Sequence, residues 1–178
     1  EESENFTLNG LDRYRINNEL LHLEEAQFND YFAKQRVKGI MPRGEFAEVC
    51  AQSIRADVLA FKEKIKDYSL PHSESVDFVV ETAQGNIRLF GYMEPLFGNE
   101  NQIIEWRFAK YKDRYRIRPW LYYLIQLATK ENALPPRIIA KDKDLTLKTI
   151  EKSTALEKLK MYVEAYLQSQ QQIQLIPT

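Results

Sequence analysis

The spacing of the apolar residues changes near Pro71, and this change limits the folds that the chain can adopt. Before it, residues 45–67 repeat apolar side chains every three or four positions, which is the pattern of an amphipathic helix. After it, Val76, Phe78 and Val80 occupy every second position, as in a half-buried strand. The two patterns together predict a mixed α/β fold of the α+β type, with helices packed against a sheet.

Turn and capping residues divide the chain into an order of predicted elements. Helices are expected after a cap at Asp12, over residues 25–38, 45–67 and 117–131, and from Ser153 or Thr154 onward. Strands are expected over residues 76–82, 87–93, 102–109, 137–141 and 145–150, with a closing strand at 174–176. The first three strands are predicted to form a meander. Residues 1–40 are predicted to be a helical lead-in packed on the core, and residues 41–178 a single α/β domain.

The composition excludes several classes of protein and of site. The chain has 178 residues, 44% hydrophobic and 29% charged, which suits a globular domain, and no apolar run reaches the length of a membrane helix. A single cysteine, Cys50, excludes an internal disulfide and favours a reducing, cytoplasmic location. Cys50 lies on the apolar face of the predicted helix, so we expect a core thiol rather than a nucleophile. His22 and His72 have no third partner at a recognisable spacing, so a catalytic triad is not supported. No nucleotide-binding motif is present, and no cofactor is expected.

Charge is distributed unevenly along the chain, although the net charge is only −1. Residues 1–30 carry eight acids and two arginines, whereas residues 107–118 carry six basic residues and one acid. Such asymmetry indicates a binding partner. The chain also begins without Met, and we expect it to be a piece of a longer protein.

Residues 107–118, here called the basic segment, are the first candidate site. Aromatic residues separate its basic ones, as in proteins that contact phosphates through cations and stack unpaired bases on rings. The candidate DNA-binding residues are Arg107, Lys110, Lys112, Arg114, Arg116 and Arg118. The alternative interpretation, which the composition slightly favours, is a charged loop that docks on an acidic protein or is merely solvated.

A pair of acids is the second candidate. In a meander, Glu94 and Glu105 would approach each other across adjacent strands, with Arg107 two residues farther on. Two acids and a cation are the arrangement of a magnesium-dependent phosphodiesterase. Arginine stays charged and cannot act as the base that a lysine would supply there. The alternative is that both acids are solvated or ion-paired strand ends.

Several blocks of the sequence resemble one family. Residues 6–21 (FTLNGLDRYRINNELL) and 39–46 (GIMPRGEF) are similar to the C-terminal domain of the gamma subunit of exodeoxyribonuclease V, the RecC family. Weaker blocks follow in the expected order: residues 91–93 (GYM), 106–107 (WR), 120–124 (WLYYL) and 175–177 (LIP). The resemblance covers nearly the whole chain.

The resemblance implies a nuclease-like core of the PD-(D/E)XK type that has lost catalysis, with no catalytic residue and no metal. It also implies a place in a complex with ATP-dependent exodeoxyribonuclease V activity, which unwinds and degrades broken duplex ends in bacterial recombinational repair. The implied partners are the sister beta and alpha subunits and double-stranded or forked DNA. A hairpin that splits the duplex would lie at residues 137–149 or, as second choice, 84–86. Two other hypotheses stay open: an active Mg-dependent nuclease, and a subunit-docking module without DNA contact.

Overall fold

The structure is a computed structural model that describes residues 8–42, 44–68, 70–99 and 101–173. The chain divides into two compact units, Glu1–Lys66 and Asp67–Thr178. In the described ranges, no helix is long and apolar enough to cross a membrane. The predicted closing strand at 174–176 lies outside the described residues. The predicted boundary at residue 40 stays a prediction. The boundary between the two compact units follows Lys66, so the long helix predicted before Pro71 belongs to the first unit.

In its described residues, 8–42 and 44–66, the first unit contains three α-helices: α1 (Gly10–Leu21), α2 (Phe28–Val37) and α3 (Gly44–Ile65). The cap of α1 is Asn9, whose side chain accepts a hydrogen bond from Asp12 N at 2.8 Å. The prediction that Asp12 is the cap was wrong, because Asp12 lies inside the first turn, where its negative charge favours the helix dipole. Gly39, with φ 70°, follows the end of α2 in the left-handed conformation typical of a helix C-terminus.

Apolar side chains of all three helices form the core of this unit. Those with little or no exposed surface include Ile16, Leu20, Phe28, Phe32, Ile54, Val58 and Phe61. Arg13 connects α1 to α3 by contacting Ser53 at 2.9 Å and Asp57 at 3.4 Å. The N-terminal part of α3 buries Ala47 and Ala51, while Phe46 and Val49 of the predicted apolar face are mostly exposed.

The second unit begins with a long antiparallel ribbon of β1 (His72–Thr82) and β2 (Gly85–Leu96). The strands predicted at 76–82 and 87–93 do pair as a hairpin, with its turn at residues 83–84 rather than at the expected 84–86. Successive side chains of a strand point to opposite faces, so Val76, Val80 and Met93 lie on the inner face and are buried. Phe90 and Tyr92 lie on the outer face and are mostly exposed.

A separate four-stranded sheet has the order β3 (Gly98–Asn99), β4 (Gln102–Arg107), β5 (Leu134–Ala140) and β6 (Asp144–Thr146). Strands β4 and β5 are parallel, and helix α4 (Ile117–Thr129) connects them. The strands predicted at 137–141 and 145–150 do form an antiparallel hairpin, β5–β6, although β6 begins at Asp144 and already ends at Thr146. Parallel strands are usually covered on both faces, in keeping with the buried run Ile138, Ile139 and Ala140.

The predicted three-strand meander does not form, because β2 and β4 belong to different sheets. β5 pairs along β4, and on its other edge β4 pairs at Gln102 and Ile103 with the short β3 rather than with β2. In addition, Pro95 near the end of β2 has no N–H to donate to a neighbouring strand. The chain instead turns after Phe97, whose carbonyl accepts a hydrogen bond from Ile104 N at 2.8 Å.

Helices α4 and α5 (Lys152–Ile173) pack together in the second unit. Tyr123, Leu124 and Leu127 of α4 meet Ala155 and Leu159 of α5 in one apolar cluster. A second cluster joins the inner face of the ribbon to Ile103 of β4. These clusters hold the sheets and helices in a mixed α+β arrangement, which confirms the predicted class at that level.

Candidate nucleic-acid interface

The basic segment leaves β4, passes through a loop and a 3-10 turn at Asp113–Arg116, and continues into α4. Two hydrogen bonds attach it to the turn between β5 and β6. Lys141 N donates to Ala109 O at 3.0 Å, and Tyr111 N donates to the Asp142 carboxylate at 2.7 Å. The segment is therefore held at both ends by regular structure and in its middle by a neighbouring hairpin.

Glu105, one of the two candidate metal ligands, is buried on β4 between two arginines. Its side chain is 4% exposed, and its Oε1 accepts a hydrogen bond from Arg107 Nε at 2.9 Å. Its Oε2 accepts bonds from Arg118 Nε at 3.2 Å and from Arg118 Nη2 at 2.8 Å. Two positive charges already surround this carboxylate and would repel a divalent cation.

Glu94, the other candidate ligand, lies near the end of β2 and is exposed. Since β2 and β4 are not neighbouring strands, the predicted approach of Glu94 and Glu105 across a ladder was wrong. Among the residues that the structure describes, no group of three or more His, Cys, Asp or Glu side chains is placed to hold a metal ion.

The six predicted DNA-binding residues differ in their surroundings. Arg107 and Arg118 bind Glu105, and Arg116 binds Asp113 at 3.1 Å. Lys110, Lys112 and Arg114 are exposed and form no ion pair with any described carboxylate. The structure thus brings five exposed cations onto one segment and uses the partly buried Arg118 to anchor it.

The aromatic residues of the basic segment lie next to cations. Arg107 and Arg114 lie 5.8 and 5.7 Å from the centre of the Tyr115 ring. Phe108 is buried. Tyr111 donates its hydroxyl hydrogen to Asp113 at 3.1 Å, and partial desolvation together with this bond raises the pKa of Tyr111.

The comparison with protein families covers the whole chain: the model of the RecC C-terminal domain matches residues 1–178. The chain belongs to this family. Over 181 aligned residues it is 55% identical to the RecBCD enzyme subunit RecC of Haemophilus influenzae, covering 99% of the chain and 16% of that protein. It is 22% identical over 167 residues to the RecBCD enzyme subunit RecC of Escherichia coli K12, covering 93% of the chain and 14% of that protein. The chain spans only about a sixth of the length of these relatives.

Two lysines of this RecC C-terminal domain lie beside the basic segment, although the sequence placed them only within the candidate hairpin at 137–149 and not among the DNA-binding residues. Lys141 lies 5.1 Å from the centre of the Phe108 ring, and Lys143 lies 4.4 Å from that of Tyr111. Both stand in the β5–β6 turn, where alternating Asp142 and Asp144 cancel the local charge. A count of charge along the sequence therefore misses them, and only the contact between turn and segment reveals them.

The same unit also has an apolar groove of about 530 Å³ between β2 and the two helices α4 and α5. Met93 of β2, Leu121 of α4, and Leu159 and Tyr162 of α5 line it. Apolar grooves of this kind are typical of protein-binding surfaces. The groove shares no lining residue with the basic segment.

Proposed function

We propose that this domain is a non-catalytic DNA-fork and subunit-scaffold domain of a RecBCD-type helicase–nuclease complex that acts in double-strand-break repair by homologous recombination. Both relatives are named as subunits of the RecBCD enzyme, which supports a place in such a complex. Its protein partners would be the sister beta and alpha subunits. The parent complex would act as an ATP-dependent exodeoxyribonuclease V in the cytoplasm.

The surroundings of Glu105 carry the proposal that the domain is not a nuclease. The order α3, β1, β2, β4, α4 and β5 is compatible with a PD-(D/E)XK-like core. In such a core, an acid on the third long strand would hold the metal ion. Here, two arginines occupy the oxygens of that acid, and Arg107 stands where a catalytic lysine would be needed. The domain would thus keep the order of elements of a nuclease without its three-strand meander, and use its cations for binding.

The exposed part of the basic segment supports contact with DNA. Lys110, Lys112 and Arg114 have no acidic partner among the described side chains, so their charges are available to phosphates. For the hairpin that would separate the strands, residues 137–149 are the better candidate, because Asp142 in the β5–β6 turn accepts a hydrogen bond from Tyr111 in the middle of the basic segment. The second choice, residues 84–86, overlaps the turn of the β1–β2 ribbon, where Ala83 N donates to Glu164 of α5 at 2.9 Å.

Charge reversal at Lys112 and Arg114, measured in the assembled complex, tests the proposed DNA contact. If both side chains contact phosphates, Lys112→Glu with Arg114→Glu lowers the affinity for forked DNA and reduces the slope of log K against log salt by about 2. Lys160→Glu, which reverses an exposed lysine of α5, is the matched control. An unchanged affinity and slope in the double variant would refute the DNA contact.

The second candidate function is a subunit-docking module without DNA contact, and the groove between β2 and the helices favours it. Tyr162→Glu would place a charge at the groove, where Tyr162 is about half exposed. In a docking module this change weakens assembly with the sister subunits and leaves the DNA affinity of the complex that does assemble unchanged. Analytical ultracentrifugation of the mixed subunits measures the first effect.

A further inference from the structure

We propose that the basic segment and the β5–β6 turn form one surface that binds the phosphate backbone of DNA without stacking on its bases, and that Lys143 belongs to it. This inference rests on the proposed function and specifies what the surface recognises. It adds a residue outside the basic segment, and it replaces the expectation that the aromatic rings hold unpaired bases.

Exposure separates the cations of this surface from its rings. Lys110, Lys112, Arg114 and Lys143 are exposed. Phe108 is only 4% exposed, and Tyr111 and Tyr115 are partly buried. Elsewhere in the same unit, Phe90 and Tyr92 are 78% and 72% exposed, so the chain does present open rings at another place. A base approaching the basic segment would therefore meet charged groups before it met a ring.

Each of these rings also has a cation beside it. Lys143 Nζ lies 4.4 Å from the Tyr111 ring centre, and Arg107 and Arg114 both lie within 6 Å of the Tyr115 ring centre. A ring face that holds a cation cannot hold a base at the same time. The rings instead restrict the motion of flexible side chains, and a cation that is already placed loses less entropy when it binds phosphate.

The charge balance of this surface favours an anionic ligand. Its six cations, Lys110, Lys112, Arg114, Arg116, Lys141 and Lys143, are accompanied by three carboxylates, Asp113, Asp142 and Asp144. Asp113 accepts bonds from Arg116 and Tyr111, and Asp142 accepts the bond from Tyr111 N. Asp144 accepts bonds from Arg137 of β5. Each acid thus has a structural partner in or beside the surface. The remaining positive charge suits a chain of phosphodiesters, whose recognition by cations does not depend on base sequence.

The test uses the full-length parent subunit in its complex and two forked DNAs of equal length. In one fork the unpaired arms carry bases, and in the other the same positions are abasic. Lys143→Glu is compared with the native protein and with Lys160→Glu, whose lysine lies on α5. We expect Lys143→Glu to weaken binding about three- to tenfold on both forks and to reduce the salt slope by about 1. Lys160→Glu should match the native protein.

Tyr115→Leu distinguishes backbone binding from stacking on bases. We expect this variant to weaken both forks equally, because it only loosens Arg107 and Arg114. A loss confined to the fork with bases would overturn the inference and leave the proposed DNA contact standing. If Lys143→Glu changed neither fork but weakened subunit assembly, the surface would bind an acidic protein and the inference would be wrong. If Lys112→Glu with Arg114→Glu also left the affinity for DNA unchanged, both the inference and the proposed DNA contact would be overturned.

Discussion

Arg118 donates two hydrogen bonds to the buried Glu105, at 3.2 and 2.8 Å, and so joins the first turn of α4 to the middle of the sheet. A cation near a helix N-terminus is unfavourable to the helix dipole, and the carboxylate compensates for it. Arg107 binds the other oxygen of the same carboxylate. Glu105, which the sequence predicted as one of two metal ligands, thereby fixes both ends of the basic segment.

Replacing Glu105 by Gln should destabilise the chain by about 2 kcal/mol, because two arginines lose the charge that balances them. The cost stays below that of a fully buried pair, since the Arg107 and Arg118 side chains are 49% and 38% exposed. Urea unfolding followed by circular dichroism measures the change. Glu94→Gln, at an exposed strand position, is the control and should change stability by less than about 0.5 kcal/mol. Equal effects of the two substitutions would contradict the structural role of Glu105.

Titration with Mg²⁺ or Mn²⁺ should give no binding heat attributable to Glu105, because guanidinium groups already occupy both of its oxygens. We also expect no cleavage of DNA by Arg107→Lys, since Arg118 would still hold the carboxylate. Calorimetry and a gel assay with labelled duplex check the two expectations. Metal-dependent cleavage that disappears on Glu105→Ala would establish the active-nuclease hypothesis instead.

Gly98→Ala should destabilise the chain by about 3 kcal/mol. Gly98 has φ +111°, and a Cβ there would clash with the Gln102 carbonyl and lie 2.9 Å from Ile104 Cγ1. The β3–β4 turn would have to open to relieve these contacts. Gly10→Ala at the start of α1 meets nothing within 4 Å and should be neutral or slightly stabilising. Thermal unfolding of both variants decides whether the Gly98 turn is required.

The thiol of Cys50 should alkylate slowly at neutral pH. Burial raises the pKa of this thiol, and the charge of Arg13 lowers it by less. The reactive thiolate form is therefore scarce at neutral pH. The rate with iodoacetamide should therefore increase only as the pH rises above the ordinary cysteine value of about 8.5. The same chain unfolded in urea is the reference and should react faster at pH 8. Equal rates in the two states would show that the thiol is not protected.

The sequence predicted most of the local structure because local structure depends on neighbouring residues. Alternation and a turn at Gly85 predicted the β1–β2 hairpin, and the residues around Asp142 predicted β5–β6. The cap of α1 was misplaced by three residues because Asn9 and Asp12 are both good capping residues, and only the backbone geometry distinguishes them.

Strand pairing could not be predicted, because it depends on which edges remain available after the chain has packed. The short β3 takes one edge of β4, and β5 reaches the other edge after a helical connection. A meander was the simplest arrangement of three successive strands, yet the chain turns back after β2 and pairs β4 with β3 and β5 in a separate sheet. The expected meeting of Glu94 and Glu105 failed for this reason.

The sequence by itself determined the helices, the two hairpins and the concentration of positive charge at residues 107–118, since each follows from residues close together along the chain. The tertiary structure decided what those charges do. It placed Arg107 and Arg118 on Glu105, brought Lys143 to the Tyr111 ring, and left Lys110, Lys112 and Arg114 exposed. The strength of a charged group depends on its partners and its access to water, and packing between distant segments fixes both.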